Sequence, residues 1–453
     1  MYENNVVIGA GYTGIGVGMT PGFKIFEAND YPGSICTSYQ KEGFRFDMGG
    51  GHWIFGGDRY ILELMNKSSK CKKYTRNSAV FFTGSLNATR LMERQFVNYP
   101  IQNNLYAFGE KIAKSAVKEI VACNRTNNGS YTMAEWLKFN FGETLYEIFF
   151  GPFHERYTAG LNREIAPQDP YKTPFDIKNV ISGATGNARM DVGYNATFVY
   201  PENGLSVLSR NLAKNCNIQY GARAEKINIK DKTIKFCDGS EVKYKKLIST
   251  LPLNKILRTT GLSDACEPFV SVLVLNMGVE FPANDIAKHH YHWLYVPDSI
   301  TGFHRIGYYS NVDQIFLPEK MRNLQKFGSI YIEFAFRGGE RPSGDRIKKL
   351  ITNTEAELKS LGLIKKAIVV DSTWIEVAYT WKKPNSNWVN DVISNLAKFD
   401  ILSIGRYGRW SFQGIAESLK EGILEGAAEF KKQREDNQND LSGSLLSRED
   451  FYK

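Results

Sequence analysis

The sequence lacks any apolar run that approaches the roughly 20 residues a membrane-spanning helix needs. It also lacks a basic and then apolar leader before the first predicted strand, which begins near Asn5. Its six cysteines form no CxxC pair and show no regular spacing, which argues against a zinc site and against a disulfide framework. We therefore expect a cytoplasmic protein with reduced thiols and no bound metal.

The sequence has no extended block of like charge either. Its formal net charge is +9, but lysine and arginine are scattered among acidic residues, which favours anionic small molecules over nucleic acid as partners. A hydrophobic share of 42% and an aromatic share of 13% are typical of a packed globular protein. At 453 residues the chain is too long for a single core, so two or three domains are expected.

The N-terminal segment NVVIGAGYTGIGVG carries a glycine motif between a predicted strand and a predicted helix. Gly9, Gly11 and Gly14 permit a tight turn and a close approach of pyrophosphate to helix N–H groups. Glu27 ends the next predicted strand, where a carboxylate can accept hydrogen bonds from ribose. This context predicts a dinucleotide-binding domain and leaves both NAD and FAD open.

Two further glycine-rich segments favour FAD among these dinucleotides. Gly33 and Ser34 lie in GSICTS, and Gly50 and Gly51 lie in DMGGGHWIF. A tightly held flavin needs a long path of backbone donors and small residues, which these segments can supply.

The order of predicted elements indicates an α/β protein: an FAD-binding Rossmann-like domain, a helical insertion and a mixed or antiparallel β-sheet substrate domain. Residues 217–252 alternate as strands, with turns at Asp231-Lys232 and Asp238-Gly239, and predict an antiparallel meander. The predicted parts are an FAD-binding domain at 1–85, 196–260 and 386–435, a mainly helical substrate domain at 86–195, a mixed β-sheet substrate domain at 261–385 and a loose polar tail at 436–453.

Several longer segments carry a more specific resemblance, which spans roughly residues 5 to 430. They are NYPIQNN at 98–104, NATFVYP at 195–201, WLYVPD at 293–298, HRIGYYSN at 304–311 and GRYGRW at 405–410. With these segments the chain resembles the UDP-galactopyranose mutase family, especially its eukaryotic-type members, within the FAD-dependent amine-oxidase-like and protoporphyrinogen-oxidase-like superfamily.

This resemblance implies an isomerase that interconverts the pyranose and furanose forms of UDP-galactose or a related nucleotide sugar. In that family the N5 atom of reduced FAD attacks the anomeric carbon, UDP leaves, and the opened sugar closes through another hydroxyl. NAD(P)H is the reductant that the resemblance suggests. The oligomeric state, including a homo-oligomer, is left open.

The resemblance also assigns residues to the flavin. His52 matches a histidine beside the flavin, where its hydrogen bonds set the geometry around N5. Arg406 and the following loop up to Gln413 match a stretch that closes over the flavin, and Glu333 matches an acid near it.

The substrate side is assigned in the same way. Arg305 matches an arginine that grips the pyrophosphate, a role that suits a forked guanidinium. The other matches are Tyr295 and Tyr379 for diphosphate contacts, Asn195 for the sugar, and Tyr99 and Gln102 for uracil.

Three positions depart from the family pattern. Thr158 stands where a tryptophan near the substrate is expected, and Phe412 replaces a tyrosine that binds phosphate. The second pyrophosphate arginine has no clear match; Lys172 is the nearest cation and would act as a point charge. These departures bear on the identity of the sugar and the base.

Two other functions remain open from the sequence. One is an FAD-dependent oxidase or desaturase of the same superfamily, acting on an amine, a porphyrinogen or a carotenoid, which predicts an apolar substrate tunnel. The other is a non-catalytic flavin-binding scaffold, but a decayed site would not be expected to keep His52, Arg305, Tyr295 and Asn195, since buried polar groups cost stability.

Overall fold

The computed structural model describes residues 2–85, 94–123, 131–167, 176–187, 195–283 and 290–449. Its strands are β1 (Tyr2–Ile8), β2 (Lys24–Phe26), β3 (Ser38–Lys41), β4 (Phe44–Asp47), β5 (Ile54–Phe55), β6 (Cys71–Thr75), β7 (Ser78–Phe82), β8 (Gln95–Asn98), β9 (Thr197–Pro201), β10 (Asn217–Gln219), β11 (Ala224–Asn228), β12 (Thr233–Phe236), β13 (Glu241–Ser249), β14 (Phe269–Glu280), β15 (Trp293–Tyr295), β16 (Arg305–Tyr308), β17 (Phe327–Arg337), β18 (Lys366–Thr380) and β19 (Ile401–Ser403). Its α-helices are α1 (Tyr12–Gly18), α2 (Arg59–Ser68), α3 (Glu110–Ala122), α4 (Met133–Leu145), α5 (Gly151–Tyr157), α6 (Ile177–Ala184), α7 (Leu205–Ala213), α8 (Leu253–Thr260), α9 (Tyr309–Val312), α10 (Gly344–Ser360), α11 (Trp388–Ala397), α12 (Gly405–Gly408) and α13 (Ile415–Glu449).

The first sheet carries the glycine motif. Its strand order is β10-β2-β1-β13-β12-β11, and β19 also pairs with β13. Strands β10, β2, β1, β13 and β19 run parallel to one another. Strands β11, β12 and β13 form an antiparallel meander, which confirms the prediction. Helix α1 can lie close to α13 because Gly16 has no side chain; a Cβ there would lie 2.5 Å from the Leu419 carbonyl oxygen. The predicted α/β class with a Rossmann-type domain is confirmed.

The second sheet has the strand order β18-β14-β17-β16-β15-β7-β8. Strand β14 pairs with β17 and β18 along its length, and nearly all of its side chains are buried. Strand β7 pairs in parallel with β15, and β8 pairs with β7. The boundaries predicted near residue 85 are therefore wrong for these strands: β7, within 1–85, and β8, within the mainly helical 86–195, both belong to the second sheet.

Helices α3 to α6 pack on one another beside this sheet. Helix α4 begins with a capping box, in which Thr132 Oγ1 accepts from the Glu135 N–H and Glu135 accepts from the Thr132 N–H. A π-helical turn, Tyr146–Phe150, follows α4 directly and continues into α5. This succession brings α5 to the second sheet.

Residues 436–449 are helical, which differs from the prediction of a loose tail at 436–453; residues 450–453 lie outside the described residues. Helix α13 extends to Glu449, and no proline lies within it to break it. Within the described residues no helix is both long and apolar enough to cross a bilayer. The same residues contain no cluster of three or more histidine, cysteine or acidic side chains that could hold a metal ion.

Candidate flavin and substrate site

The turn between β1 and α1 has the geometry of a phosphate-binding turn. Gly9 has φ +97°, a conformation that side chains rarely adopt, and a Cβ on Gly14 would lie 1.9 Å from the Gly9 carbonyl oxygen. The helix begins after Gly11, which has no side chain to cap the first turn. The N–H groups of that turn are thus available to an anion.

Glu27 lies beside this turn, at the end of β2, and is 4% exposed. Its Oε2 atom accepts from the Ala10 N–H at 2.7 Å, and its Oε1 atom accepts from the backbone and side chain of Asn29, each at 2.8 Å. An ionised carboxylate offers about four acceptor positions. Glu27 therefore retains acceptor capacity for a ribose hydroxyl while its orientation is fixed.

A cavity of about 850 Å³ begins at this turn and continues to the second sheet. Cavities of about 300–1,000 Å³ are typical of cofactor and ligand sites. The predicted site residues that line it are Gly9, Gly11, Glu27, Gly33, Ser34, Gly51, His52, Tyr99, Asn195, Tyr295, Arg305, Glu333, Tyr379, Arg406, Phe412 and Gln413. The turn, the carboxylate and the length of this cavity fit an extended dinucleotide.

Three of the predicted residues that the structure describes do not line the cavity. Gly14 and Gly50 lie behind it, in the glycine turn and the glycine loop. Gln102 is 1% exposed and lies in the short 3₁₀ helix Ile101–Asn103, and its contact with uracil stays a prediction. Lys172 lies outside the described residues.

The glycine loop that carries His52 follows Asp47, the last residue of β4, and Asp47 is bonded to β14 of the second sheet. Asn276 on β14 donates from Nδ2 to the Asp47 carbonyl oxygen at 3.0 Å, and the Tyr200 hydroxyl donates to Asp47 Oδ1 at 2.7 Å. His52 Nδ1 lies 3.2 Å from the Gly50 carbonyl oxygen, so Nδ1 carries the hydrogen. Burial lowers the pKa of His52 to about 4, which leaves a neutral ring.

Arg305 and Glu333 are register partners on β16 and β17 and form an ion pair in which Glu333 is buried and Arg305 is partly exposed. Arg305 Nη1 lies 3.2 Å from Glu333 Oε1, and His304 Nε2 lies 3.3 Å from Glu333 Oε2. Burial alone would raise the pKa of Glu333, but Arg305 and His304 together outweigh it and hold the pKa below its usual value. The carboxylate is therefore ionised and neutralises much of the charge on Arg305.

Arg406 supplies a second cation, from α12. Its Nη1 donates to the Gln413 carbonyl oxygen at 3.0 Å and its Nη2 to the Ala378 carbonyl oxygen at 3.3 Å. The guanidinium lies 4.7 Å from the centre of the Phe412 ring. Within the described part of the chain Arg406 has no ion pair, so it gives this end of the cavity a net positive charge.

Aromatic side chains surround the two arginines. The guanidinium of Arg305 lies 5.6 Å from the Tyr295 ring, and Tyr295 lies 4.7 Å from Tyr99 between ring centres. Tyr379 packs against Tyr157 at 4.8 Å. Phenol hydroxyls and guanidinium groups are both donors, so this end of the cavity suits a ligand rich in acceptor oxygens.

Sequence reasoning missed two polar residues here. Arg76, between β6 and β7, is 7% exposed; it donates to Asn195 Oδ1 and lies 5.4 Å from the Tyr99 ring. His154 on α5 lines the cavity. Arg76 has no local motif to mark it, and a π-helical turn before α5 has no sequence signature that would orient His154.

Thr158, which stands in place of an expected tryptophan, does not line the cavity. It is fully buried at the end of α5, where its hydroxyl donates to the His154 carbonyl oxygen at 2.6 Å and accepts from the Asn162 N–H at 3.0 Å. Its neighbour Tyr157 lines the cavity instead. Tyr157, the residue before Thr158, therefore supplies the aromatic ring that this segment presents to the cavity.

The buried histidines predict an acid-sensitive fold. Burial lowers the pKa values of His52, His154 and His292 from 6.5 to about 4. At these three positions the unfolded chain therefore binds protons at a higher pH than the folded chain. The stability that the neutral histidines contribute is complete above pH 6.5 and falls as the pH drops towards 4. We expect Tm to decline from pH 6.5 to about 5, with each histidine costing at most about 1.4 kcal/mol per pH unit.

His292→Gln provides the control, because His292 does not line the cavity and a glutamine can still accept from the Asn77 N–H. This variant should show a shallower decline of Tm over the same range. A wild-type Tm that is level from pH 7 to about 5 would contradict the prediction.

A dinucleotide-type turn opens into a cavity that continues to the second sheet, an arrangement typical of proteins that bind an extended cofactor. Residues 18–319, about two thirds of the chain, match the family described as flavin containing amine oxidoreductase. The chain therefore belongs to this family, which supports FAD as the cofactor.

Solved structures show the same fold. A reduced UDP-galactopyranose mutase is 24% identical, covers 95% of this chain and 94% of its own, and superposes with a TM-score of 0.80. A protein designated a protoporphyrinogen oxidase from Exiguobacterium sp. 255-15 is 13% identical, with 94% and 98% covered and a TM-score of 0.68. A fatty acid isomerase from P. acnes that produces CLA is 14% identical, with 93% and 97% covered and a TM-score of 0.58. At these identities the likeness concerns the fold.

Proposed function

We propose that this chain is a flavin-dependent mutase that interconverts the pyranose and furanose forms of a nucleotide-linked sugar, with UDP-galactose as the first substrate to test. The observation that carries the proposal is the donor-rich end of the cavity, formed by Arg305, Arg406, Tyr295 and Tyr379. A diphosphate presents acceptor oxygens and negative charge, which these groups match.

The chain's own residues divide the cavity into two parts. The glycine turn and Glu27 hold the pyrophosphate and ribose of FAD at the first sheet. His52 and Glu333 flank the far end, where the flavin ring would lie. When bound and reduced, the flavin supplies the nucleophile for the anomeric carbon.

The substrate is held by groups from the second sheet and α12. Arg305 keeps a fixed orientation through Glu333, and Arg406 carries the uncompensated charge, so together they can retain the diphosphate after it is displaced. Asn195 has its Oδ1 occupied by Arg76, which leaves the amide N–H groups to face a sugar oxygen. Tyr99 offers a ring for a base, and uridine is the base proposed.

An oxidase is the second candidate, favoured by the description of the family and by an apolar stretch of the cavity. Phe149, Phe150 and Phe153 line it next to the donor-rich end. In an oxidase, hydride would leave the substrate for oxidised flavin, and oxygen would be consumed.

One experiment separates the candidates. The purified, flavin-loaded protein is incubated with UDP-galactofuranose in three ways: without oxygen and with dithionite, without oxygen and without dithionite, and in air without dithionite. The nucleotide sugars are then separated by chromatography. We expect the protein to convert UDP-galactofuranose to UDP-galactopyranose only when dithionite is present. Turnover that requires oxygen would support the oxidase, and silence with several nucleotide sugars would support a non-catalytic flavin-binding scaffold.

A further inference from the structure

Glu421 on α13 is a carboxylate to which the proposed function gives no role. It does not line the cavity, and its side chain is 15% exposed. Its Oε2 atom accepts from the Gly405 N–H at 3.0 Å and from Gln413 Nε2 at 2.8 Å. Its Oε1 atom accepts from Arg409 Nε at 2.8 Å. One carboxylate is thus bonded to both ends and to the middle of the segment from residue 405 to 413.

These bonds close a ring of contacts around Arg406. Gly405 directly precedes Arg406 in the chain, so its bond to Glu421 holds the start of the arginine's backbone. At the other end, Arg406 Nη1 donates to the Gln413 carbonyl oxygen at 3.0 Å, and the Gln413 side chain returns to Glu421. The backbone and the guanidinium of Arg406 are therefore held by the same carboxylate.

Neighbouring contacts confine this ring. Ser418 Oγ donates to Gln413 Oε1 at 3.1 Å, which fixes the orientation of the amide, so that Nε2 faces Glu421. Gly405 has φ +81°, and a Cβ there would lie 2.6 Å from Thr13 Oγ1 on α1. The segment is therefore enclosed between α1 and the carboxylate.

The charge of Glu421 does not cancel that of Arg406. Arg409 pairs with Glu421 at 2.8 Å, whereas within the described residues no ion pair joins Glu421 to Arg406. A carboxylate bonded directly to Arg406 would orient it and also neutralise it, as Glu333 does for Arg305. Contact through intervening residues orients the guanidinium and leaves its charge for a ligand.

We propose that Glu421 is a positioning residue for the diphosphate site: it holds the segment from residue 405 to 413 in the shape that presents Arg406 to the ligand. This inference rests on the proposed function and adds a residue that does not itself line the cavity. A binding group that is ordered before the ligand arrives contributes more to affinity, because the cost of ordering it is not met on binding.

Glu421→Gln tests the proposal because it keeps the size of the side chain. Both carboxylate oxygens accept from donors, so the amide NH₂ group meets a donor in either orientation, Arg409 on one side or Gly405 and Gln413 on the other. The affinity of the FAD-saturated variant for UDP is measured by calorimetry. We expect this affinity to fall about tenfold.

Glu425→Gln is the matched control. Glu425 lies one turn further along α13 and also accepts from Arg409, at 3.1 Å. A loss that arises from Arg409 or from the stability of α13 would appear in both variants. We expect Glu425→Gln to bind UDP like the wild type, and equal weakening in the two variants would overturn the proposal.

A double-mutant cycle with Arg406→Met determines whether Glu421 acts through Arg406. Glu421→Gln should weaken UDP about tenfold when Arg406 is present and hardly at all in the Arg406→Met protein. The same factor in both backgrounds would indicate a general structural role and would overturn the proposal. Flavin content and Tm verify that each protein is folded.

Glu421→Asp takes the place of Glu421→Gln if the latter does not fold. An aspartate keeps the charge beside Arg409, but it is one methylene group shorter and cannot keep all three bonds at their present lengths. We expect weaker binding of UDP by this variant as well. An affinity equal to that of the wild type would remove the role of Glu421.

The outcomes also separate this inference from the proposed function. A wild type that does not bind UDP removes both. UDP binding that Glu421→Gln leaves unchanged removes the role of Glu421 and leaves the mutase proposal standing. UDP binding that depends on Glu421, without conversion of UDP-galactofuranose, removes the mutase and keeps the role of Glu421 in a diphosphate site.

Discussion

Arg305→Lys is expected to lower the affinity of the flavin-loaded protein for UDP-galactose by about tenfold to a hundredfold while the flavin content stays near that of the wild type. A lysine keeps the positive charge beside Glu333, so the ion pair that positions this side chain survives. It loses the planar fork that bonds two phosphate oxygens together. Calorimetric titration and the flavin absorbance of the purified variant measure the two quantities.

Arg337→Lys is the matched control. Arg337 also pairs with a carboxylate, at 2.7 Å from Glu164, but both side chains are nearly half exposed and do not line the cavity. Exposed pairs contribute little, so this variant should bind UDP-galactose like the wild type. An Arg305→Lys variant with unchanged affinity would show that Arg305 does not hold the diphosphate.

The charges at the donor-rich end explain why two arginines are needed there. Arg305 is oriented by Glu333, but the carboxylate cancels most of its charge. Arg406 is held by carbonyl oxygens of Gln413 and Ala378, which orient a guanidinium without neutralising it. A fixed orientation and a net charge thus come from different residues. Removal of Arg305 should abolish the forked contact with phosphate, whereas removal of Arg406 should weaken the long-range attraction of an anionic ligand.

The sequence was informative where the chemistry is local. The turn at Gly9 to Gly14 and the carboxylate of Glu27 lie within one strand-turn-helix-strand unit, so spacing alone predicted their placement. The antiparallel meander was predictable for the same reason, because its turns at Asp231 and Asp238 join neighbouring strands.

Contacts between distant segments were beyond local patterns. Strand β7 pairs with β15, more than two hundred residues further on, and no alternation within either strand specifies that partner. Arg76 reaches Asn195 in the same non-local way. The family resemblance identified Arg305 and Glu333 as site residues, but it did not identify Arg76 or His154. The position of Arg76 depends on the packing of the strands after β6, and that of His154 depends on the π-helical turn before α5.

The largest loss of flavin is expected from Gly14→Ala, because the added methyl group would overlap the backbone of the phosphate-binding turn. A Cβ at this position would lie 1.9 Å from the Gly9 carbonyl oxygen, and a backbone atom cannot rotate away as a side chain can. Relief requires α1 to move from β1, which displaces the N–H groups that face the pyrophosphate. Overpacking of this kind costs about 1–3 kcal/mol, so flavin affinity should fall about tenfold or more.

Gly344→Ala is the control for this substitution, since Gly344 begins α10 and a Cβ there meets nothing within 4 Å. It should purify with the flavin content of the wild type. Flavin content is read from absorbance, reconstitution with added FAD gives the affinity, and circular dichroism verifies that Gly14→Ala is folded. A folded Gly14→Ala protein that binds FAD as tightly as Gly344→Ala would mean that the pyrophosphate does not rest on the N-terminus of α1, and the division of the cavity into a cofactor part and a substrate part would then be wrong.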